Sequence, residues 1–283
     1  MPSASVPLRS EKSTTGRFFM RAGFRGLEMV APRAASRLAA NLFCSPRRAK
    51  PAAAGGHRFE IFPGIAAWDW GEGPTVLLAH GWNGSAAQMT PFVEPLVRAG
   101  FYVVAFDQPA HGSSRGKRAT VIDFAEAILA VARRVRPIHA VVGHSLGATA
   151  AAVALSRGLQ AEHAVLLAPA AEAAYFARAF ARALGLRRTE GVLDELRRMV
   201  GGDLLDVRLV APALRARALL LADPADREVP YAHAAEIAAA WPGSRLEALP
   251  GAGHTRILRS SDAIRRSVAF ISQGQPTEAL RSA

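Results

Sequence analysis

Residues 141–148 read VVGHSLGA, and this octet decides the fold. Val141 and Val142 close an apolar run of the kind that favours strands. From Ala148 to Leu155 the chain is mostly alanine, the best helix former. A strand must therefore give way to a helix within a few residues. The junction, Gly143-His144-Ser145-Leu146-Gly147, fits the pattern G-x-S-x-G. In that context a serine stands on a sharp turn and its Oγ projects above the sheet. Gly143 and Gly147 let neighbouring backbone pass without Cβ clashes. The N–H of Leu146, at the positive end of the new helix, can face a developing oxyanion. A serine hydroxyl is a weak nucleophile by itself, so the chain must also supply a base and an orienting acid.

In this arrangement the chain order is serine, acid, histidine. Of the eight histidines, His57, His80, His111, His139 and His144 precede Ser145. His163 opens an apolar run, and His233 lies in a helical stretch where its side chain is expected to meet solvent. His254 ends the glycine-rich loop Pro250-Gly251-Ala252-Gly253-His254, directly after a strand-like run. Loops at the carboxyl ends of strands build the sites of open α/β sheets, so His254 is the candidate base. For the acid, residues 223–230 read DPADREVP. Asp226, at the tip of that loop, is the first choice, and Asp223, which ends a strand-like run before Pro224, is the fallback. Both also suit ordinary turn chemistry. A second oxyanion donor is expected from the loop His80-Gly81-Trp82-Asn83-Gly84. There the Trp82 amide is the natural donor, and His80 holds the loop by hydrogen bonding.

Outward from the octet, strand-like runs fall at 58–62, 66–70, 75–79, 102–106, 140–142, 163–168, 218–222 and 245–249. Helical stretches fall at 89–98, 121–134, 148–157, 233–240 and 261–271. Runs such as TVLLA and YVVAF are continuously apolar, as expected of parallel strands covered on both faces. Alternation of strands with helices predicts an α/β class with a mostly parallel, eight-stranded sheet and helices on both faces. The first two strands have no helix between them and should pair antiparallel at one edge. Residues 170–212 are helical and too long for one crossover, so they are read as a small helical cap or, less simply, as paired crossover helices.

The flanks differ in composition. The formal charge is +12. Residues 1–56 hold ten Lys or Arg against Glu11 and Glu28, so +8 of it (ten less two) sits in this first segment. Residues 1–57 are thus expected to be a basic extension. They comprise a polar start over 1–16, a helical stretch at 17–43 broken near Gly23, Gly26 and Pro32, and a linker at 46–57. The helix packs on the main domain or, alternatively, makes a weak membrane-surface contact. If it is merely peripheral, a chain starting near Ala52 should fold and keep its activity. The main domain is expected at 58–272 and a flexible tail at 273–283. The remainder is only mildly basic and shows no zinc-finger or RRM-like motif, so nucleic acid is not an expected partner. Cys44 is the single cysteine, which excludes an intrachain disulfide, and it is read as a bland residue. No stretch is long and apolar enough to span a membrane, and no signal core opens the chain, so a cytoplasmic location is expected. Arginine outnumbers lysine 32 to 3, a bias that fits GC-rich bacterial coding.

The pieces HGW (80–82), DQPAHGSS (107–114), GHSLG (143–147), DPADREVP (223–230) and GAGHTRIL (251–258) together resemble the α/β-hydrolase superfamily, in its serine esterase and lipase-like branch. The resemblance covers about residues 58–272. It implies a Ser145–Asp226–His254 triad, oxyanion donors at Trp82 and Leu146, a cap at about 170–212, and no metal or organic cofactor. It departs at Ala110, where the family commonly shows glycine. The implied activity is hydrolysis of a small-molecule carboxylic ester through an acyl-enzyme. Acyl transfer, C–C bond or peptide hydrolysis, or a non-catalytic binding role, remain as alternatives.

Overall fold

A computed structural model describes residues 14–48, 55–61, 64–135 and 137–273. The early polar stretch before residue 14, half of the expected linker (49–54) and the tail beyond residue 273 lie outside these. The described residues open with two helices, α1 (Thr14–Val30) and α2 (Pro32–Phe43). Eight strands follow: β1 (His57–Ile61), β2 (Ile65–Trp70), β3 (Thr75–Ala79), β4 (Tyr102–Phe106), β5 (Ile138–His144), β6 (His163–Leu167), β7 (Arg217–Ala222) and β8 (Ser244–Ala248). Between them run α3 (Ala86–Met89), α4 (Val93–Arg98), α5 (Val121–Val135), α6 (Leu146–Ser156), α7 (Ala173–Ala183), α8 (Glu190–Val200), α9 (Val207–Val210) and α10 (Tyr231–Ala240), with α11 (Ser261–Ile271) last.

The strands form one sheet in the order β1-β2-β4-β3-β5-β6-β7-β8. β1 pairs antiparallel with β2, and β2 antiparallel with β4. Every other neighbouring pair is parallel. Period-two alternation divides the core. In β3, Leu77 and Ala79 join the cluster under α5, α6 and α10, while Val76 and Leu78 join the cluster under α3, α4 and α11. Both faces are therefore covered, which is why the central strands read as unbroken apolar runs.

Two expectations need correction. Gly23 and Gly26 do not break the first helix, because α1 runs through both. A mid-helix glycine costs only about 1 kcal/mol relative to alanine, which packing outweighs. The real break is Ala31 (φ −148°, ψ 71°) before Pro32, which supplies the first residue of α2. The predicted helix at 89–98 also starts earlier and is interrupted. A 3-10 turn, Thr90–Phe92, separates α3 from α4, and Pro91 sits at its start.

The N-terminal helices do not pack on the sheet. Phe24 of α1 and Ala35, Ala39, Ala40 and Cys44 of and after α2 share a third core with Ala177, Ala181, Leu184, Leu186, Val192, Leu193 and Leu196. These partners belong to the insertion between β6 and β7. The segment after α2 is also tied to the main body. The Ala119 N–H donates to the Cys44 carbonyl, and the Arg48 guanidinium donates to the Ser114 and Gly116 carbonyls.

Candidate active site

β5 ends at His144 and α6 starts at Leu146, so Ser145 alone makes the turn. It holds φ 52° and ψ −121°, a conformation rare for a residue with a Cβ. Two contacts keep it there. The Ser145 N–H donates to the Leu167 carbonyl at the end of β6, and its carbonyl accepts from Ala148. The flanking glycines are required by close approach. A Cβ on Gly143 would lie 2.6 Å from the Ala148 Cα. One on Gly147 would lie 2.5 Å from the Ala79 carbonyl oxygen and closer still to that of His80.

The carboxyl ends of β5, β7 and β8 bring three distant residues into one chain of hydrogen bonds. Ser145 Oγ lies 3.0 Å from His254 Nε2. His254 Nδ1 lies 2.8 Å from Asp226 Oδ2, with both side chains almost wholly buried. Asp226 Oδ1 accepts from the Glu228 and Val229 N–H groups at 2.7 and 3.1 Å. Burial pushes the Asp226 carboxyl up, but the hydrogen bond and charge of His254, with those two backbone donors, hold it below the usual carboxylate value. An ionised Asp226 keeps the proton of His254 on Nδ1 and leaves Nε2 free to accept from Ser145.

Asp223, the fallback acid, has a different place. Its Oδ1 accepts from Ala225 N–H at 2.9 Å and its Oδ2 from Gly253 N–H at 2.6 Å. It thereby ties the acid loop to the loop that carries His254. Backbone donation from Ala225 and Gly253 holds its carboxyl below the ordinary range.

The loop after β3 lies against the turn. A Cβ on Gly81 would meet the Ser145 Cβ at 2.9 Å, so glycine is needed for the approach. His80 is buried. Its Nδ1–H donates to the Gly81 carbonyl at 2.7 Å, and its Nε2 accepts from Gln108 N–H at 2.9 Å. Burial lowers its pKa to about 3, so it serves as a neutral brace. The Trp82 ring packs on His111 and Phe124. Leu146 opens α6, so its N–H has no earlier helical carbonyl to pair with.

Two histidines hold places that the sequence does not show. His233, expected to meet solvent, is buried, and its Nδ1 accepts from Ala171 N–H at 3.2 Å. The helix turns it inward, against the rings of Tyr175 and Phe176. Chain order alone sets His144 aside as a base. It is buried, and its Nε2–H donates to the His254 carbonyl at 3.0 Å. Burial lowers its pKa to about 3. It positions the backbone of His254, a role visible only once β5 and the loop after β8 are adjacent. Cys44 is buried away from the site, and burial with the nearby Asp123 pushes its thiol up to about 11.

A group of His139, Glu162 and His163 lies at the opposite end of β5 and β6, and Ser145 is not part of it. Among the described residues no helix is long and apolar enough to cross a membrane.

The family model described as "Alpha/beta hydrolase family" matches residues 76–266. Sequence comparison with curated proteins finds no match. Among solved structures, the chain is similar to a bacterial membrane phospholipase A (20% identity, TM-score 0.62), over 95% of this chain and 98% of that one. It is similar to an esterase from Thermogutta terrifontis (20% identity, TM-score 0.59), over 77% and 100% respectively. It is also similar to an esterase from Pyrococcus furiosus (22% identity, TM-score 0.61), over 80% and 98%. At these identities the likeness is one of fold.

Proposed function

The chain belongs to the alpha/beta hydrolase family, and on that premise we propose that it is a serine hydrolase that cleaves a small-molecule carboxylic ester or related acyl compound. The observation that carries the reading is the unbroken chain from Ser145 Oγ through His254 to the buried Asp226. The names of the esterases and the phospholipase A of similar fold support an ester bond as the target.

In the first half-reaction, Ser145 Oγ bonds to the acyl carbon and its proton passes to His254 Nε2. The carbonyl oxygen becomes an oxyanion, held by the Trp82 and Leu146 N–H groups. Asp226 stabilises the imidazolium. Collapse breaks the ester C–O bond, and His254 gives its proton to the leaving alkoxide. In the second half, water loses a proton to the same nitrogen and attacks the acyl-enzyme. The acid leaves and Ser145 regains its proton. The cycle closes with these groups and water. The insertion at 170–212 leaves the carboxyl end of β6, beside the turn, and is read as a cap that shapes the acyl or alcohol subsite.

The test is hydrolysis of p-nitrophenyl esters from acetate to decanoate, together with labelling by a fluorophosphonate that reacts with activated serines. Wild type should turn over at least one ester and take the label on Ser145. Ser145→Ala should lose about 10³-fold or more in kcat and all of the label. Asp226→Asn should lose about 10²-fold or more, because His254 is then held in the wrong tautomer. A folded wild type whose Ser145 stays unlabelled, or a Ser145→Ala variant of full activity, overturns the proposal.

A further inference from the structure

α1 carries two apolar faces, and only one of them is used. Phe24 is buried in the core shared with the insertion, and Leu27 packs beside it. On the other side of the helix Phe18, Phe19, Met29 and Val30 are 69%, 67%, 85% and 83% exposed. At about 100° per residue, these four and the exposed Ala22 and Gly26 between them sweep an arc of about 120°. Arg21 and Arg25, both exposed, border that arc. On α2, Leu38 and Leu42 are also exposed, one turn apart, with Arg33 and Arg37 exposed on the same helix.

The charges here lack partners of opposite sign. Among the described residues no ion pair involves Arg21, Arg25, Arg33 or Arg37. The one acid of α1 and α2, Glu28, is turned away. Its carboxylate accepts from the Arg187 and Arg188 backbone N–H groups at 3.1 and 2.8 Å. The helix thus offers solvent an apolar stripe edged by unpaired arginines. A patch of this kind on a folded chain marks a contact surface.

We infer that α1 docks flat on an anionic lipid surface, with Phe18, Phe19, Met29 and Val30 among the acyl chains and Arg21 and Arg25 at the headgroups. The charges select this occupant. A second copy packed symmetrically on the same stripe would set arginines against arginines with no acid to pair them. An anionic surface meets both the apolar arc and its basic edge. Spanning is excluded for this helix, because it is too short and too charged for the hydrocarbon core. The inference is independent of the chemistry at Ser145.

The experiment is co-flotation of the full-length chain with vesicles, in a Ser145→Ala background so that no lipid is consumed. Vesicles are phosphatidylcholine alone or with about 30% phosphatidylglycerol. Binding should favour the anionic vesicles and fall when salt rises from about 0.05 to about 0.5 M. Phe18→Glu with Met29→Glu, and separately Arg21→Glu with Arg25→Glu, should each weaken it by about tenfold or more. All four side chains are exposed, so both double variants should keep the parent circular-dichroism spectrum and melting profile. No binding by the parent, or binding unchanged in either double variant, overturns the inference. So does a lipid-free dimer by sedimentation that is lost in Phe18→Glu with Met29→Glu, since a second copy then covers the stripe.

Discussion

Ser145 shows how much one residue's neighbours matter. Its identity as a candidate nucleophile was legible from Gly143, Gly147 and the strand-to-helix change around them. So was His254, from its loop after a strand. The choice between Asp226 and Asp223 was weaker in sequence, because both sit in one turn-forming loop. It is the fold that sets Asp226 against His254 and Asp223 against the Gly253 N–H. The bracing role of His80 was legible from its loop, whereas the burial of His144 and His233 was not, since burial is a property of the packed chain. Buried histidines matter beyond the site. They carry a prediction about acid. His80 and His144 have pKa values near 3 when folded, against 6.5 for the free side chain. Between those values the unfolded chain binds more protons, so stability rises with pH there. Their contribution is complete above about pH 6.5 and is lost on acidification toward pH 3, by on the order of 1 kcal/mol per pH unit for each. Urea unfolding at about pH 7.5, 6 and 4.5 should show falling free energies. A flat profile over that range would mean that both rings are protonated in the folded chain.

At the scale of the element, the strand–turn–helix unit at β5 and α6 is nearly complete in the sequence, whereas the unbroken run of α1 through Gly23 and Gly26 is not. Glycine means opposite things in the two. Gly147 lies where the backbone at the end of β3 leaves no room for a methyl group. Gly147→Ala should therefore destabilise by about 1–3 kcal/mol or more, through displaced backbone. Gly23 lies mid-helix with nothing within 4 Å of an added Cβ. Gly23→Ala should stabilise by up to about 1 kcal/mol, through helix propensity. Thermal melts of the two variants beside wild type test this pair, and shifts of the same sign would contradict it. A period count along the chain cannot separate these glycines, because the clash at Gly147 comes from residues about 70 positions away.

For the whole molecule, the basic extension has a structural part that its composition conceals. From sequence, a peripheral helix predicts that a chain starting near Ala52 would fold and work. The third core argues otherwise. Without α1 and α2, Leu184, Leu186, Val192, Leu193 and Leu196 lose their cover. Exposing a buried apolar side chain costs about 1.5–3 kcal/mol, so the insertion should loosen even though the sheet and its two main cores remain. A chain of residues 49–283 should bind the dye ANS strongly, melt earlier than the full chain and tend to aggregate. An unchanged melting profile with no dye binding would return the extension to a peripheral role.

The sequence by itself determined the class of fold, the order of most elements and the residues from which a site could be built. Apolar periodicity and turn chemistry are local properties, written within a few residues of each other. Only the tertiary structure decided which carboxylate meets His254, that His144 braces it, and that α2 covers the insertion rather than the sheet. Those outcomes rest on contacts between residues far apart in the chain. They arise when parallel strands bring their carboxyl ends together and helices find the apolar faces left uncovered.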